Sequence, residues 1–135
     1  MAEIQTLNPP PPALGRLQQL LWVLRAADMT STADQALTKV FSGTLWLPMS
    51  PVANRVSGTF GVACLGGMYT AAGKTGNIVI AAAQSFAGLT GALTTVLPVL
   101  SLTGVQNSAT LFLSLTTGNT GALNADIFVF GMVLD

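Results

Sequence analysis

The sequence predicts a mainly β protein, an antiparallel β-sandwich of jelly-roll-like form, and three observations carry that prediction. About eight short apolar runs recur along the chain, separated by clusters of Gly, Asn and Thr. Half of the residues are hydrophobic and only 7% are charged, so the surface must be built mainly from Thr, Ser, Asn, Gln and Gly. The length, 135 residues, fits one domain around one core.

Residues 1–13, MAEIQTLNPPPPA, offer nothing to a core. Pro9, Pro10, Pro11 and Pro12 favour an extended polyproline II conformation. We read 1–13 as an extended, Pro-rich N-terminal arm and 14–135 as the sandwich domain. The arm is expected to rest on a neighbouring subunit, with Pro9, Pro10, Pro11 and Pro12 as candidate partner-binding residues and Leu14 as an apolar anchor; a free tail is the bland alternative. Residues 14–27, LGRLQQLLWVLRAA, support two assignments. Their leucines fit one helical face, whereas Trp22-Val23-Leu24 suits a strand.

Residues 28–35 are polar and turn-forming, and 36–47 read as a strand that Pro48 and Pro51 break. A strand within 52–65 is expected to kink near Gly58 or Gly61, and Gly66-Gly67 reads as a turn. Met68-Tyr69-Thr70 and 78–83 are strands around a glycine-rich hairpin. The run 93–102, interrupted by Pro98, suits an edge strand or two short pieces. In 111–115 the leucines at 111, 113 and 115 share a face, and 117–124 reads as a hairpin loop. The last run, IFVFGMVL at 127–134, is apolar on both faces, which predicts a central strand covered on both sides. Trp22 and Trp46 read as core side chains, with interface anchoring as the alternative.

Candidate chemistry is sparse. The stretch Gly73-Lys74-Thr75 mimics the end of a phosphate-binding loop, but the first glycine of that motif would fall at 68, which is Met68. After Thr75 the residues spell a turn and a strand instead of a long helix, so a hairpin turn with an exposed lysine is expected. The chain has no histidine, which removes the commonest general base and metal ligand. Its one cysteine, Cys64, sits in a small apolar run and reads as a buried structural thiol. The five acids, Glu3, Asp28, Asp34, Asp126 and Asp135, form no metal-type cluster in sequence. No enzyme activity, cofactor, metal or small-molecule substrate is therefore expected. With net charge zero and no basic patch, nucleic-acid binding has no electrostatic support. No secretory leader is expected, since the start carries Glu3 and prolines. A membrane protein is the strongest competitor. The run 78–97 is long enough to span a bilayer, but Gln84, Ser85, Gly88, Thr90, Gly91, Thr94 and Thr95 lower its apolarity and no basic residue comes after it.

Three segments, ADMTSTADQALTKVF at 27–41, VACLGGMYTAAGKTGNIVIAAAQSFAGLTG at 62–91 and LFLSLTTGNTGALNADIFVFGMVLD at 111–135, resemble small structural proteins of tailed bacteriophage virions. The resemblance covers roughly residues 27–135 and rests on texture, not on a catalytic signature. It implies a capsid decoration, or cement, protein on the outer surface of the capsid, bound to the major capsid protein and to itself as a homotrimer. A tail, neck or fibre-attachment protein is the alternative within the same class. A small phage membrane protein of the lysis type is the alternative outside it.

Overall fold

The computed structural model describes residues 18–59, 61, 64–90, 94–101 and 104–135. Among these, nine strands succeed one another: β1 (Gln19–Asp28), β2 (Gln35–Ala36), β3 (Thr38–Lys39), β4 (Trp46–Gly58), β5 (Leu65–Ala71), β6 (Thr75–Ile80), β7 (Thr95–Val96), β8 (Phe112–Thr117) and β9 (Leu123–Val133). They form two antiparallel sheets, ordered β3-β1-β9-β4-β7 and β2-β8-β5-β6. The pairing is that of a rolled-up hairpin. Setting β3 aside, the first strand pairs with the last (β1 with β9), the second with the penultimate (β2 with β8), then β4 with β7 and β5 with β6. This is jelly-roll connectivity within a β-sandwich, as the fold prediction expected.

The ambiguous segment is a strand from Gln19 onward. Helical leucine spacing loses here because β9 offers a full ladder of backbone partners. A register shift between Leu20 and Trp22 inserts Leu21 as an extra residue, so both Leu21 and Trp22 turn inward. A second irregularity lies between Leu24 and Ala27. There Ala26 takes a positive φ of 50°, and the Asp126 carboxylate accepts both its N–H and an N–H of Arg25, each at 2.8 Å.

Pro48 and Pro51 do not break β4, contrary to their sequence signal. A proline can face β9 only where no N–H is needed in the ladder. A register shift between Pro48 and Ser50 makes Met49 an extra residue, and the two prolines then fall opposite Gly131 and Val129, which share one parity of β9. The bulge converts a spacing of three into a spacing the ladder tolerates. Gly66-Gly67 is likewise not a turn but the interior of β5. A Cβ on Gly66 would lie 2.6 Å from Leu115 Cα, and one on Gly67 would lie 2.3 Å from the Ile80 carbonyl oxygen. Glycine is used there for close approach of neighbouring backbones. Residues 117–124 join β8 to β9 across the two sheets, so they form no hairpin.

The core lies between the sheets. The odd residues of β9 from 123 to 129 are buried, and Leu111, Leu113 and Leu115 answer them from the other sheet. Trp22, Phe41 and Trp46 form an aromatic cluster at one end, with Trp22 edge-on to Phe41 at 5.8 Å and to Trp46 at 5.4 Å. The Trp22 indole N–H is buried without a hydrogen-bond partner among the described residues. Both tryptophans are core side chains.

Candidate interaction surface

The side chains with chemical potential are each occupied structurally. Cys64 is fully buried, its thiol 3.6 Å from the Met29 carbonyl oxygen, and burial pushes its pKa up to about 11. We expect iodoacetamide at pH 8 to leave the native protein unmodified and to alkylate Cys64 once urea unfolds the chain, as intact mass would show. Comparable labelling of both states would place the thiol at the surface.

Gly73 and Lys74 form the turn between β5 and β6, both at positive φ. The Asp34 carboxylate accepts the Gly73 N–H at 2.6 Å, the donor that a phosphate nest would have offered, and the Ser114 hydroxyl at 2.7 Å. These two bonds, the Gly73 one first, hold the Asp34 carboxyl below the ordinary carboxylate range. A folded pKa below the unfolded one means the bonds stabilise the protein above about pH 4 and fade as the pH falls through the lowered value. Asp28, held by Thr30, and Asp135, held by Leu45 and Thr44, shift in the same direction. The unfolding midpoint is expected to be flat from pH 7 to about pH 5 and to drop below about pH 4, with a shallower drop in Asp34→Asn. An identical acid limb in that variant would remove Asp34 from the account. Among the described residues no group of three His, Cys, Asp or Glu side chains can hold a metal ion. No helix there is long and apolar enough to cross a membrane.

What stands out is a surface. Between their bulges, the long strands of the five-stranded sheet alternate side chains between the core and the outside. On β9 the outward set is Asn124, Asp126, Phe128, Phe130 and Met132, all half-buried. The register aligns rows across the face. Val23, Phe128 and Val52 form one row, Leu20, Phe130 and Ser50 the next, and Met132 with Leu47 the third. Phe128 and Phe130 lie 6.5 Å apart and tilted by 33°. The Arg25 guanidinium stacks 5.3 Å over Phe128 while bonding Asp126 at 2.8 Å, so the pair that marks one side of the face is internally neutral.

The face widens beyond β4. Ala53 pairs with Val96, which packs against the core, and the next residue, Leu97, points outward and is 70% exposed. Pro98 is buried again and Val99 is 73% exposed. Continuing the β4–β7 register sets Leu97 beside Val52. At the other end Trp46 bridges Gln106, which brings Val105, 50% exposed, alongside Leu47. Among the described residues no third layer covers this face. The sequence showed that β9 is apolar on both sides and central; its outward side is only half-covered.

The four-stranded sheet also carries an apolar row outside, Ala36, Phe112, Tyr69 and Ile78, with Ile78 47% exposed, but the row is narrower and partly covered. Its outward positions include Ser114, which is tied to Asp34, and Tyr69, which is only 4% exposed. The predicted partner-binding residues Pro9, Pro10, Pro11, Pro12 and Leu14 lie outside the described residues. Sequence reasoning missed Val23, Leu47, Val52 and Leu97 as surface residues. Each sits in an apolar run, and only the strand register says which side of the sheet it occupies.

The fold defines the class: a two-sheet antiparallel β-sandwich with jelly-roll pairing and an apolar outer face. Comparison with protein-family models, with curated proteins and with solved structures finds no match.

Proposed function

We propose that this chain is a non-enzymatic structural protein of a phage virion, a decoration (cement) protein on the outer surface of the capsid. The observation that carries the proposal is the broad apolar face of the five-stranded sheet, which holds large side chains at the surface of a protein with very few charges. Such a face costs little to desolvate when a partner covers it. Jelly-roll pairing is compatible with the proposal at the level of fold analogy, since capsid proteins use that architecture among others. In this account the protein works by contact alone. It binds the major capsid protein and its own copies, as a trimer by the resemblance, and symmetric repetition turns weak contacts into firm attachment. The N-terminal arm, with Pro9 to Pro12, and the adjacent Leu14 would extend that contact.

The test is the number of copies of this chain in purified particles. Copies comparable to the major shell protein, lost together with resistance to heat or low salt when the gene is removed, are the expected result. A few copies per particle would move the protein to the tail, neck or fibre attachment. Absence from particles with partition into detergent would replace the proposal by the lysis-type membrane protein.

A further inference from the structure

We infer that the outer face of the five-stranded sheet pairs with the same face of a second copy of this chain. The inference deepens the self-association in the preceding proposal, but it is measured on the isolated protein and does not require a virion.

Three observations select a second copy as the occupant. The first is size. The three long strands, β1, β9 and β4, are 10, 11 and 13 residues long. At a rise of about 3.3 Å per residue and a spacing of about 4.8 Å they present about 500 Å² in projection. Residues 38–39 and 95–99 extend that at the flanks. This approaches the ~600–1,000 Å² that each partner contributes to a stable interface. The second observation is charge. Arg25 and Asp126 satisfy each other within the chain, and Asp28 stands at the rim with its carboxylate held by Thr30. A second copy therefore meets little opposing field across the apolar rows, whereas a strongly charged partner would find there only one neutral ion pair and a rim carboxylate. The third is shape. Val23, Phe128, Val52, Phe130, Leu47 and Met132 lie in adjoining register rows across three paired strands, a sheet surface of the kind that packs face to face on another sheet.

A face that meets itself is isologous and closes at two copies. This contact therefore differs from the threefold contacts that the resemblance implies, and the two can coexist in one assembly only on different surfaces.

The experiment is sedimentation of the full chain, produced alone, over a range of concentrations. The wild type is expected to be a dimer, or an even multiple, at tens of micromolar. Leu97→Lys and Val52→Lys are each expected to weaken the pairing by about 100-fold or more, because each would bury an unpaired ammonium in the contact. Leu97 is 70% exposed, so its replacement does not disturb the core. Ile78→Lys, at an outward position of the four-stranded sheet that is 47% exposed, is expected to leave the mass unchanged. Far-UV circular dichroism and the thermal midpoint check that each variant is folded. A monomeric wild type would overturn the inference, as would a trimer unchanged by both face variants. A monomer that dimerises only after residues 1–13 are removed would also overturn it, assigning the face to the arm. A chain that pairs through this face but is absent from particles would keep the inference and sink the virion proposal. Particle incorporation by a chain that does not pair would do the reverse.

Discussion

Trp46→Ala is expected to lower the unfolding free energy by about 3–5 kcal/mol. Trp46 is fully buried at the start of β4 and joins three things at once. Its ring packs 5.4 Å from Trp22 and 6.4 Å from Phe41, closing one end of the core. Its indole N–H donates to the Ser108 carbonyl oxygen at 2.9 Å. Its backbone exchanges both hydrogen bonds with Gln106, at 2.9 and 2.7 Å. Alanine keeps only the last. It leaves a cavity between two aromatic rings that cannot collapse without moving β1, and it takes the indole donor from the Ser108 carbonyl. Trp46→Phe separates the terms: most of the packing returns but the donor does not, so a cost of about 1–2 kcal/mol is expected. Urea unfolding monitored by circular dichroism reads both variants. A loss below about 1 kcal/mol for the alanine variant would mean that the aromatic cluster is not part of the folding core.

Gly131→Ala is expected to be at least as damaging although it adds a single methyl group, with a loss of about 3 kcal/mol or more, or no soluble protein. Gly131 lies in the central strand, opposite Gln19 on β1 and Pro48 on β4. A Cβ there would stand 2.0 Å from the Leu47 carbonyl oxygen and 2.7 Å from Leu21 Cδ1. The nearer obstacle is backbone, so no rotamer change relieves it. The strands must separate, and β9 holds the five-stranded sheet together from its centre. Gly73→Ala is the contrast. Its φ of +75° penalises a side chain, but nothing lies within 4 Å of the added carbon, so a cost of about 1–2 kcal/mol is expected. Equal effects of the two substitutions, read in the same denaturation experiment, would show that contact in the central strand is not what makes Gly131 necessary.

Residue by residue, the legible and illegible parts of the fold separate by range of interaction. The hairpin between β5 and β6 was readable because glycine and threonine at 73–76 carry their turn preference locally. The core face of β8 was readable because Leu111, Leu113 and Leu115 alternate with smaller or less buried partners. Gly66-Gly67 misled because a glycine pair has the same composition in a turn as in a crowded strand; Leu115 and Ile80, far along the chain, decide between them. Pro48 and Pro51 misled because their tolerance depends on a bulge visible only against β9. Residues 14–27 were ambiguous because leucine spacing suits a helix, and the competing ladder comes from the other end of the chain. The candidate surface was half legible. Alternation showed that Phe128 and Phe130 share a side, while the side itself, and the neighbours Val23, Val52 and Leu97, required the register of three strands.

By itself, then, the sequence determined the β class, the low charge, the turn between β5 and β6 and the absence of histidine chemistry. These arise from composition and from interactions a few residues long, which act the same way in any fold. Only the tertiary structure decided that eight of the strands roll up first against last, that two prolines and two glycines lie inside strands, and that the five-stranded sheet turns an apolar face outward. Those outcomes depend on pairing between residues up to about a hundred positions apart, as between Trp22 and Val129. A one-residue change in such a register exchanges every core side chain for a surface one, and nothing local records which was chosen.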